Sequence, residues 1–428
     1  MTMPAPTLSP TVVVMNPYYT GLGIARALRG RRVPIVALSS ESDIPGARSR
    51  YFDKVLISPN GRDEPEALCD FLVKAGAGFR CKPVIFPTRD FDVIFLERFH
   101  DALATWYVLP QPDGSPILRM MDKLELAGVA MNLGLPTPRT ASCVSAESLE
   151  IQASAMRFPV IAKPRYAFQW RQQGLWEKVG TQKAFIVDSR EELRRLYSRL
   201  ATVTEEVLLQ EYIPGVDMDI VVCCAYIGRD GKPKGHFTGR KLKQSPPLVG
   251  TGCVVEAVDC PAIVSPTFAL LNAFGYTGIA EVEFKLDKAT GIYYLIEINP
   301  RHWDQHELGT LVGINISRLA YEDMLGQAPQ AILPTYPAGT RCVWVAEREL
   351  ALDVGRTVLA AIRAVPASGR FRRGVAAAAQ GWRETSALLR GRRIYSMWRL
   401  SDPLPGTTAG WGLAKEVLRA VGRRLRRA

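Results

Sequence analysis

Apolar runs of strand length alternate with helical patterns along the first 120 residues. Residues 11–15 read as a short buried strand, residues 24–30 as a helix and residues 33–38 as a second strand. The alternation continues with a strand at 54–57, a helix at 64–76, a strand at 83–86 and a helix at 91–99. This order is typical of βαβ units in a doubly wound parallel sheet. We therefore predict an α/β fold that begins with a Rossmann-like domain over residues 1–120.

Some loops of this domain carry polar groups that could bind a ligand. Gly21-Leu-Gly23 follows the first strand, but it is weak evidence for a nucleotide site because the third glycine and the acidic residue of a dinucleotide fold are not evident. Residues 48–51 and 88–90 could contact a substrate. Solvated loop chemistry explains them at least as well.

A later hairpin places like charges close together. Its strands, at 279–286 and 292–299, are joined by a turn at 287–291. Strand alternation puts four of its side chains on one face: Glu281, Glu283, Glu297 and Asn299. Either plausible register sets Glu281 or Glu283 across from Glu297, which is repulsive unless a cation lies between them. The pattern predicts an oxygen site for Mg²⁺, and a solvated acidic face on an edge hairpin is the alternative.

The string Glu297-Ile-Asn-Pro-Arg301 resembles the closing motif of the ATP-grasp superfamily of carboxylate–amine ligases. The resemblance is greatest to the branch of predicted ATP-dependent carboligases that includes D-aspartate ligases, and it runs from about residue 11 to about residue 327. It implies that Glu283, Glu297 and Asn299 bind Mg²⁺ or Mn²⁺, and that Arg301 steadies the transferred phosphoryl group. It also implies an ATP-grasp domain of two α+β subdomains at 121–335.

Two lysines match the phosphate-binding lysines of that family. Lys123 opens a helix that runs to about residue 133 and stops at a Gly- and Pro-rich segment, 134–138. Lys163 interrupts the apolar strand at 158–164, where a cation must be paired or bound to an anion. The resemblance implies that both reach the nucleotide phosphates, although a lysine in a helix is normally just solvated.

The flap that follows departs from the family pattern. Residues 166–180 contain only Gly174 and Gly180, where the family often has a glycine-rich loop, and two tryptophans and long polar side chains stand instead. We expect aromatic contacts to order this lid, with Lys178 or Arg171 as the phosphate clamp.

A strand at 207–213 and the turn after it resemble the adenine-binding hinge of the family. The hinge needs backbone hydrogen-bonding groups, a polar side chain and an apolar floor, which the resemblance assigns to Gln210, Glu211, Tyr212 and Ile213. Asp217 matches the residue that bonds the ribose hydroxyls, and Asp219 competes with it. An ordinary strand end with a Pro214-Gly215 turn is the alternative.

The segment 238–247 is rich in cations. Strand alternation places Lys241 and Lys243 on one face and Arg240 on the other. Phosphoryl transfer requires cations that converge on the transferred group, so we predict that Lys241 and Lys243 face the triphosphate or acyl phosphate. A surface charge cluster is the usual meaning of such a run.

His302 and His306 have helical spacing, but Trp303 stands where a metalloprotease needs glutamate. Zinc binding is therefore not favoured. We expect the segment to form a substrate-side loop, with His306 and Glu307 as candidate contacts to the acceptor.

The net charge of +12 is confined to the end of the chain, because residues 341–428 hold 18 Lys+Arg and 6 Asp+Glu. This predicts a basic, mainly helical C-terminal tail at 336–428, with helical patterns at 350–365, 381–389 and 411–427. In the last pattern one stripe is apolar, and it consists of Ala414, Val417, Leu418, Val421 and Leu425. Its Arg-rich opposite face suits an anionic membrane surface. A helix docked on the protein itself is the alternative, and nucleic acid is less favoured because no aromatic reading platform accompanies the arginines.

Composition agrees with a globular enzyme: the chain has 428 residues, 47% of them apolar, and its eight cysteines show no Cys-x-x-Cys spacing. No long apolar stretch or signal-peptide pattern appears, so a cytoplasmic protein is expected, with a peripheral position on the inner membrane face as a further option. The oligomeric state is open, with a homodimer as one option.

The resemblance implies an ADP-forming ligase whose partners are small-molecule carboxylate and amine substrates. A cell-envelope precursor or glycoconjugate is one hypothesis for the acceptor. Two alternatives remain. One is an ATP-grasp carboxylase or kinase without an amine acceptor, and the other is a nucleotide-binding scaffold without turnover.

Overall fold

The computed structural model describes residues 9–31, 33–171, 174–180, 182–363, 379, 383 and 385–425. Within these residues fifteen strands form three sheets. Two of the sheets face the candidate site, and the third closes one side of it.

The N-terminal sheet is parallel, with strand order β3-β2-β1-β4. Its strands are β1 (Val12–Met15), β2 (Ile35–Ser39), β3 (Lys54–Ile57) and β4 (Val84–Phe86). Its helices are α1 (Tyr19–Leu28), α2 (Pro65–Ala77), α3 (Asp90–Arg98) and α4 (His100–Ala104). The predicted doubly wound parallel sheet is confirmed.

Gly21 and Gly23 lie inside α1 rather than in a loop before it. A Cβ on Gly23 would lie 2.7 Å from His306 Nε2, and one on Gly21 would lie 2.4 Å from the Asn16 carbonyl oxygen. These glycines therefore permit close packing of α1, which agrees with the judgement that they are weak evidence for a nucleotide site.

The second sheet is small and antiparallel, with strand order β5-β8-β6-β7. Its strands are β5 (Thr140–Cys143), β6 (Val160–Lys163), β7 (Phe185–Val187) and β8 (Val207–Glu211). The helices around it are α5 (Ile117–Met121), α6 (Lys123–Asn132), α7 (Ala146–Ser154), α8 (Leu175–Lys178) and α9 (Arg190–Leu200). Asp122 caps α6 by accepting the backbone N–H of Leu124, so the helix begins at Lys123 as predicted.

The third sheet has seven strands in the order β13-β12-β9-β10-β11-β14-β15, antiparallel except for the last pair. Its strands are β9 (Ile220–Ile227), β10 (Pro233–Ser245), β11 (Thr251–Ala257), β12 (Gly278–Asp287), β13 (Ile292–Asn299), β14 (Cys342–Val345) and β15 (Arg392–Tyr395). The remaining helices are α10 (Val264–Ala273), α11 (Ile316–Met324), α12 (Glu347–Arg363) and α13 (Pro403–Leu425). Short 3₁₀ helices span Gln169–Arg171, Asp217–Asp219 and His306–Val312.

The C-terminal region is helical where α12 and α13 form, as predicted. However, it also contributes β14 and β15 to the large sheet, so it is not only an appendage. The side chains of residues 416–425, which include four of the five apolar stripe positions, lie outside the described residues. The domain boundaries at 120 and 335 stay a prediction.

Asp402 fastens this region to the N-terminal sheet. The Arg26 guanidinium lies 3.1 Å from the Asp402 carboxylate and donates to the Ser396 carbonyl oxygen at 2.7 Å. Ser49 Oγ donates to Asp402 Oδ2 at 2.7 Å, and the Arg50 backbone N–H donates to Oδ1 at 3.1 Å. The 48–51 loop thus packs against the C-terminal region, which corrects its reading as a substrate loop. We call Arg26, Ser49 and Asp402 the buried clasp.

All eight cysteines are free thiols, in agreement with the sequence. Cys223 and Cys224 pack into two different hydrophobic cores because they point to opposite faces of β9. In the part of the chain that the structure describes, no helix combines the length and apolarity needed to cross a bilayer.

Candidate active site

A cavity of about 330 Å³ lies between the small sheet and the large sheet, with the loop between β4 and α3 on one side. Apart from the flap and the segment after Arg301, which are described below, the sequence assigns thirteen site residues, and all but two of them line the cavity. The lining members of that set are Lys123, Lys163, Gln210, Glu211, Tyr212, Ile213, Lys241, Glu283, Glu297, Asn299 and Arg301. The exceptions are Lys243 and Asp217.

The acidic hairpin forms the floor of the large-sheet side. Its register sets Glu283 across from Glu297 and Glu281 across from Asn299. The Lys241 ammonium forms an ion pair with Glu283, and Asn299 Nδ2 donates to Glu281 Oε2 at 3.1 Å. Glu281 and Glu283 are buried, so the alternative of a solvated acidic face is wrong.

The ionisation of this hairpin reflects both burial and the surrounding lysines. Burial raises the pKa of Glu281 to about 7, although Lys241 opposes the shift. Burial acts in the same direction on Glu297, but Lys123, Lys241 and other lysines outweigh it and hold the pKa of Glu297 below its usual value. The hairpin is therefore an anionic surface matched to cations on the opposite wall.

The donor set suits a hard divalent cation, because Glu283 and Glu297 offer carboxylates and Asn299 an amide oxygen. Among the described residues the only group of three His, Cys, Asp or Glu ligand atoms within 4.8 Å of one another is His100, Asp101 and Asp113, away from the cavity. The hairpin alone thus does not supply a complete set of protein ligands for a metal ion. A cation held there would need further ligands from a bound molecule.

Three lysines of the cavity face this hairpin, and none has an ion-pair partner within the described residues: Lys123 and Lys163, which are buried, and Lys183, which is half-buried. Lys163 Nζ on β6 donates to Gln210 Oε1 at 2.7 Å, and Lys123 Nζ donates to the Arg165 carbonyl oxygen at 3.1 Å. Burial, with Lys123 beside it, lowers the pKa of Lys163 to about 7. Burial also lowers the pKa of Lys183 to about 8. Holding lysines charged in such surroundings costs free energy unless an anion binds beside them.

The flap contributes Arg171 to the cavity, and Lys183, three residues beyond the flap, lines it as well. Lys178, the other predicted clamp, is exposed on α8 and does not line it. Lys183 was missed from the sequence. The feature of the sequence that indicates its role is its position directly before the apolar run of β7. That strand pairs with β6, which carries Lys163.

The hinge residues span the end of β8: Gln210 and Glu211 are its last two residues, and Tyr212 and Ile213 follow it. Gln210 Nε2 donates to Thr140 Oγ1 at 2.8 Å while its carbonyl oxygen accepts from Lys163, so its side chain orients that lysine. The Lys285 ammonium lies 4.7 Å from the centroid of the Tyr212 ring. Together with Ile213, this ring gives one end of the cavity an apolar wall with backbone groups beside it.

Asp217 does not reach the cavity. Its carboxylate accepts the backbone N–H groups of Gln244 at 2.7 Å and Leu248 at 2.8 Å. Asp219, the competing candidate, pairs with Lys288 at 2.7 Å. Both carboxylates are engaged by groups outside the cavity, and the ribose role predicted for Asp217 is not supported.

Lys243 also points elsewhere, because a β-bulge interrupts β10 at Leu242. Lys241 pairs in register with Val255, whereas Lys243 pairs with the adjacent residue, Val254. The extra residue reverses the alternation, so Lys243 instead forms an ion pair with Asp353 of α12 at 2.9 Å. The prediction that Lys241 and Lys243 share one face is wrong.

Arg301 is fixed on three sides. Its Nε donates to Asp90 Oδ1 at 2.6 Å, and its two terminal nitrogens donate to the His302 carbonyl oxygen at 3.0 Å and to Asn299 Oδ1 at 3.1 Å. Burial alone would raise the pKa of Asp90, but the Arg301 charge holds it below the usual value. The 88–90 loop thus meets the cavity, and Asp90 connects the N-terminal sheet to Arg301.

The segment after Arg301 divides into interior and cavity-facing residues. His302 Nε2 lies 3.0 Å from Ser317 Oγ, His306 Nε2 lies 3.1 Å from the Thr20 carbonyl oxygen, and Glu307 pairs with Arg399 at 2.7 Å. None of the three lines the cavity, so the expectation that His306 and Glu307 contact the acceptor is wrong. Asp304 and Gln305 line it instead, and the sequence reading missed both.

A cleft between two antiparallel sheets, with lysines on one wall and a carboxylate hairpin on the other, defines the ATP-grasp fold. No family model matches the chain. The structure aligns with that of N5-carboxyaminoimidazole synthetase from Staphylococcus aureus complexed with ADP, with a TM-score of 0.61 and 15% identity over 82% of this chain and 86% of that one.

Curated relatives are similar in sequence as well. The chain is 28% identical to a D-aspartate ligase of Enterococcus faecium over 243 residues, which is 55% of this chain and 56% of that protein. It is 26% identical to a D-alanine–D-alanine ligase of Xylella fastidiosa over 187 residues, 42% of this chain and 57% of that protein. The chain thus spans little more than half the length of these relatives. The predicted resemblance to ATP-grasp carboxylate–amine ligases is confirmed.

Proposed function

We propose that the protein is an ATP-dependent, ADP-forming carboxylate–amine ligase. The observation that carries the proposal is a set of three cavity lysines, Lys123, Lys163 and Lys183, that face an acidic hairpin and have no ion-pair partner in the described part of the chain. A polyphosphate with a divalent cation would neutralise both walls at once. The names of the curated relatives, D-aspartate ligase and D-alanine–D-alanine ligase, point to amide formation.

In this proposal the hinge at Gln210–Ile213 holds the adenine, and the three lysines hold the phosphates. Glu283, Glu297 and Asn299 would hold Mg²⁺ or Mn²⁺, which neutralises phosphate charge when bound. Lys241 and Arg301 lie beside the hairpin, where they would stabilise charge on the transferred phosphoryl group.

The reaction requires no nucleophile from the protein. An oxygen of the substrate carboxylate attacks the γ-phosphorus of ATP, the bond from that phosphorus to the bridging oxygen breaks, and ADP leaves. The amine nitrogen then attacks the acyl carbon, the bond to phosphate breaks, and the nitrogen loses a proton. The residues supply position and charge. A cell-envelope precursor or glycoconjugate remains our hypothesis for the acceptor.

Release of ADP tests this function. The full chain is incubated with ATP, Mg²⁺ and a panel of carboxylic acids, D- and L-amino acids included, with and without added amines. ADP that requires both an acid and an amine supports the ligase. ADP without an amine requirement supports the carboxylase or kinase alternative, and no ADP supports the scaffold. Lys163→Met should abolish turnover, whereas Lys82→Met, at an exposed lysine, is the matched control.

We further propose that the region after residue 391 docks the protein on an anionic membrane surface. Four apolar side chains are exposed within fourteen residues there: Trp398, Leu400, Leu404 and Trp411. Leu400 is 87% exposed and Trp411 67%. Arg392 and Arg393 are exposed nearby, and the positive charge of residues 341–428 complements anionic lipid.

Sedimentation with liposomes tests the membrane proposal. Binding to vesicles with phosphatidylserine, but not to neutral vesicles, is expected. It should weaken in the variant Leu400→Ser, Leu404→Ser, Trp411→Ser and on removal of residues 405–428. Unchanged binding in both would refute the proposal.

A further inference from the structure

We propose, on the basis of the ligase function above, that Asp304 binds the positively charged amino group of the amine substrate. The proposal concerns the end of the cavity beside Arg301, where acyl transfer would occur. It narrows the acceptor to amines that arrive as ammonium ions.

Asp304 is held in place but keeps its charge available. Thr20 Oγ1, from α1, donates to Asp304 Oδ1 at 2.7 Å. No lysine or arginine among the described residues lies within ion-pair distance of this carboxylate. The residue is half-buried and lines the cavity. One oxygen is therefore oriented by a neutral donor, and the charge is left for a ligand.

The neighbouring acids are already neutralised by contrast. Asp90 pairs with Arg301 at 2.6 Å, and Glu283 pairs with Lys241. Glu349 of α12 accepts from the Tyr19 hydroxyl and lies 3.5 Å from Arg348. Glu281 also lacks an ion-pair partner among the described residues, but it accepts from Asn299 Nδ2 within the hairpin. Asp304 is thus the unpaired acid that lies outside the hairpin assigned to the metal.

The position of Asp304 relative to the phosphate-facing cations fits an acceptor site. Burial is the largest influence on the pKa of Lys183 and of Arg301, and the Asp304 carboxylate acts against it in both. Its charge therefore lies close to both cations. A carbonyl carbon whose phosphate contacts Arg301 would lie next to Asp304.

The charge of the amine substrate explains how a carboxylate at this position would contribute to binding. An alkyl amine has a pKa of roughly 10 and reaches the enzyme protonated at neutral pH. A carboxylate beside the acyl carbon binds that cation by a charge-assisted hydrogen bond and can accept one of its protons. The neutral nitrogen that results, oriented by the same contact, then attacks the acyl carbon. An uncharged nucleophile gains little from the same group.

The test compares a charged with an uncharged nucleophile in Asp304→Asn, at about pH 7.5 and with an acid that supports ADP release. Asparagine keeps the shape and the Thr20 contact but removes the charge. We expect the KM for the amine to rise roughly 10- to 100-fold, the loss of one charge-assisted hydrogen bond. Hydroxamate formation from hydroxylamine, which is mostly uncharged at this pH, and the KM for ATP should change less than about threefold. Asp304→Glu should recover part of the amine affinity.

Two results would overturn the inference: an unchanged KM for the amine, or an equal loss with hydroxylamine. The hydroxylamine reaction also shows that the variant is folded and forms acyl phosphate. Failure of the wild-type protein to release ADP with any acid would instead refute the ligase function itself, and this inference with it.

Discussion

Replacing Asp90 by asparagine should slow turnover without weakening nucleotide binding. Asp90 is the first residue of α3, which follows β4 of the N-terminal sheet. It accepts from Arg301 Nε at 2.6 Å, and its side chain is only 6% exposed. In the variant, Arg301 keeps two neutral acceptors, Asn299 Oδ1 and the His302 carbonyl oxygen. The arginine would then be less firmly aimed at the transferred phosphoryl group.

The magnitude follows from the kind of contact that is lost. A hydrogen bond between charged groups contributes about 1.5–3 kcal/mol. If all of this free energy holds Arg301 in position in the transition state, kcat should fall roughly 10- to 150-fold. The buried pair could cost more when broken, but Glu281 and Asp304 still balance part of the Arg301 charge.

Steady-state ADP release at saturating acid and amine measures the effect. The KM for ATP should stay within about twofold of the wild-type value, because among the described residues Asp90 makes no hydrogen bond or ion pair with the cavity lysines and acts on Lys123 only through its charge. The control variant Asp101→Asn, at an exposed aspartate of α4, should have the wild-type kcat. The pKa of Asp90 lies below its usual value, so its contribution is present at neutral pH and is lost only in more acidic solution. A kcat within threefold of wild type, or an equal rise in the KM for ATP, would refute the reasoning.

Three further outcomes are expected. Because the pKa of Lys163 is about 7 and that of Lys183 about 8 without an anion, ATP binding should take up protons near neutral pH, and affinity should fall as the pH rises from 7 to 9. Calorimetry in buffers of different ionisation heat detects this uptake, and its absence would contradict the assignment. Lys241→Gln should lower kcat more than tenfold while Lys243→Gln stays within about twofold, and equal losses would refute the bulge argument. Asp402→Asn should lower the melting temperature by several degrees, because it leaves the buried Arg26 without its carboxylate partner. Differential scanning fluorimetry measures this, and an unchanged melting temperature would show that the buried clasp does not stabilise the fold.

Local alternation and apolar runs predicted much of the site. The parity of β12 and β13 placed Glu281, Glu283, Glu297 and Asn299 on one buried face, and the pairing of Glu283 with Glu297 is one of the two registers considered. The apolar context of Lys163 predicted a buried cation. These inferences depend on neighbours within one strand or hairpin, where the sequence is informative.

The errors arise where geometry depends on an extra residue or on distant partners. Nothing in the residues of β10 signals the bulge that turns Lys243 away. Asp90 and Arg301 are 211 positions apart and meet only in the fold. The strands β14 and β15 are short and pair with each other across more than forty residues, so neither stood out from its surroundings.

A single hydrophobic core joins Val12 and Tyr19 to Ile394 and Met397. A ribosome synthesises the chain from its N-terminus at roughly 5–20 residues per second. The face of α1 that packs in this core therefore remains exposed to solvent until Ile394 and Met397 have emerged. This core can therefore be completed only after β15 has emerged. Nascent chains that stall before β15 would present an apolar surface of the kind that chaperones bind.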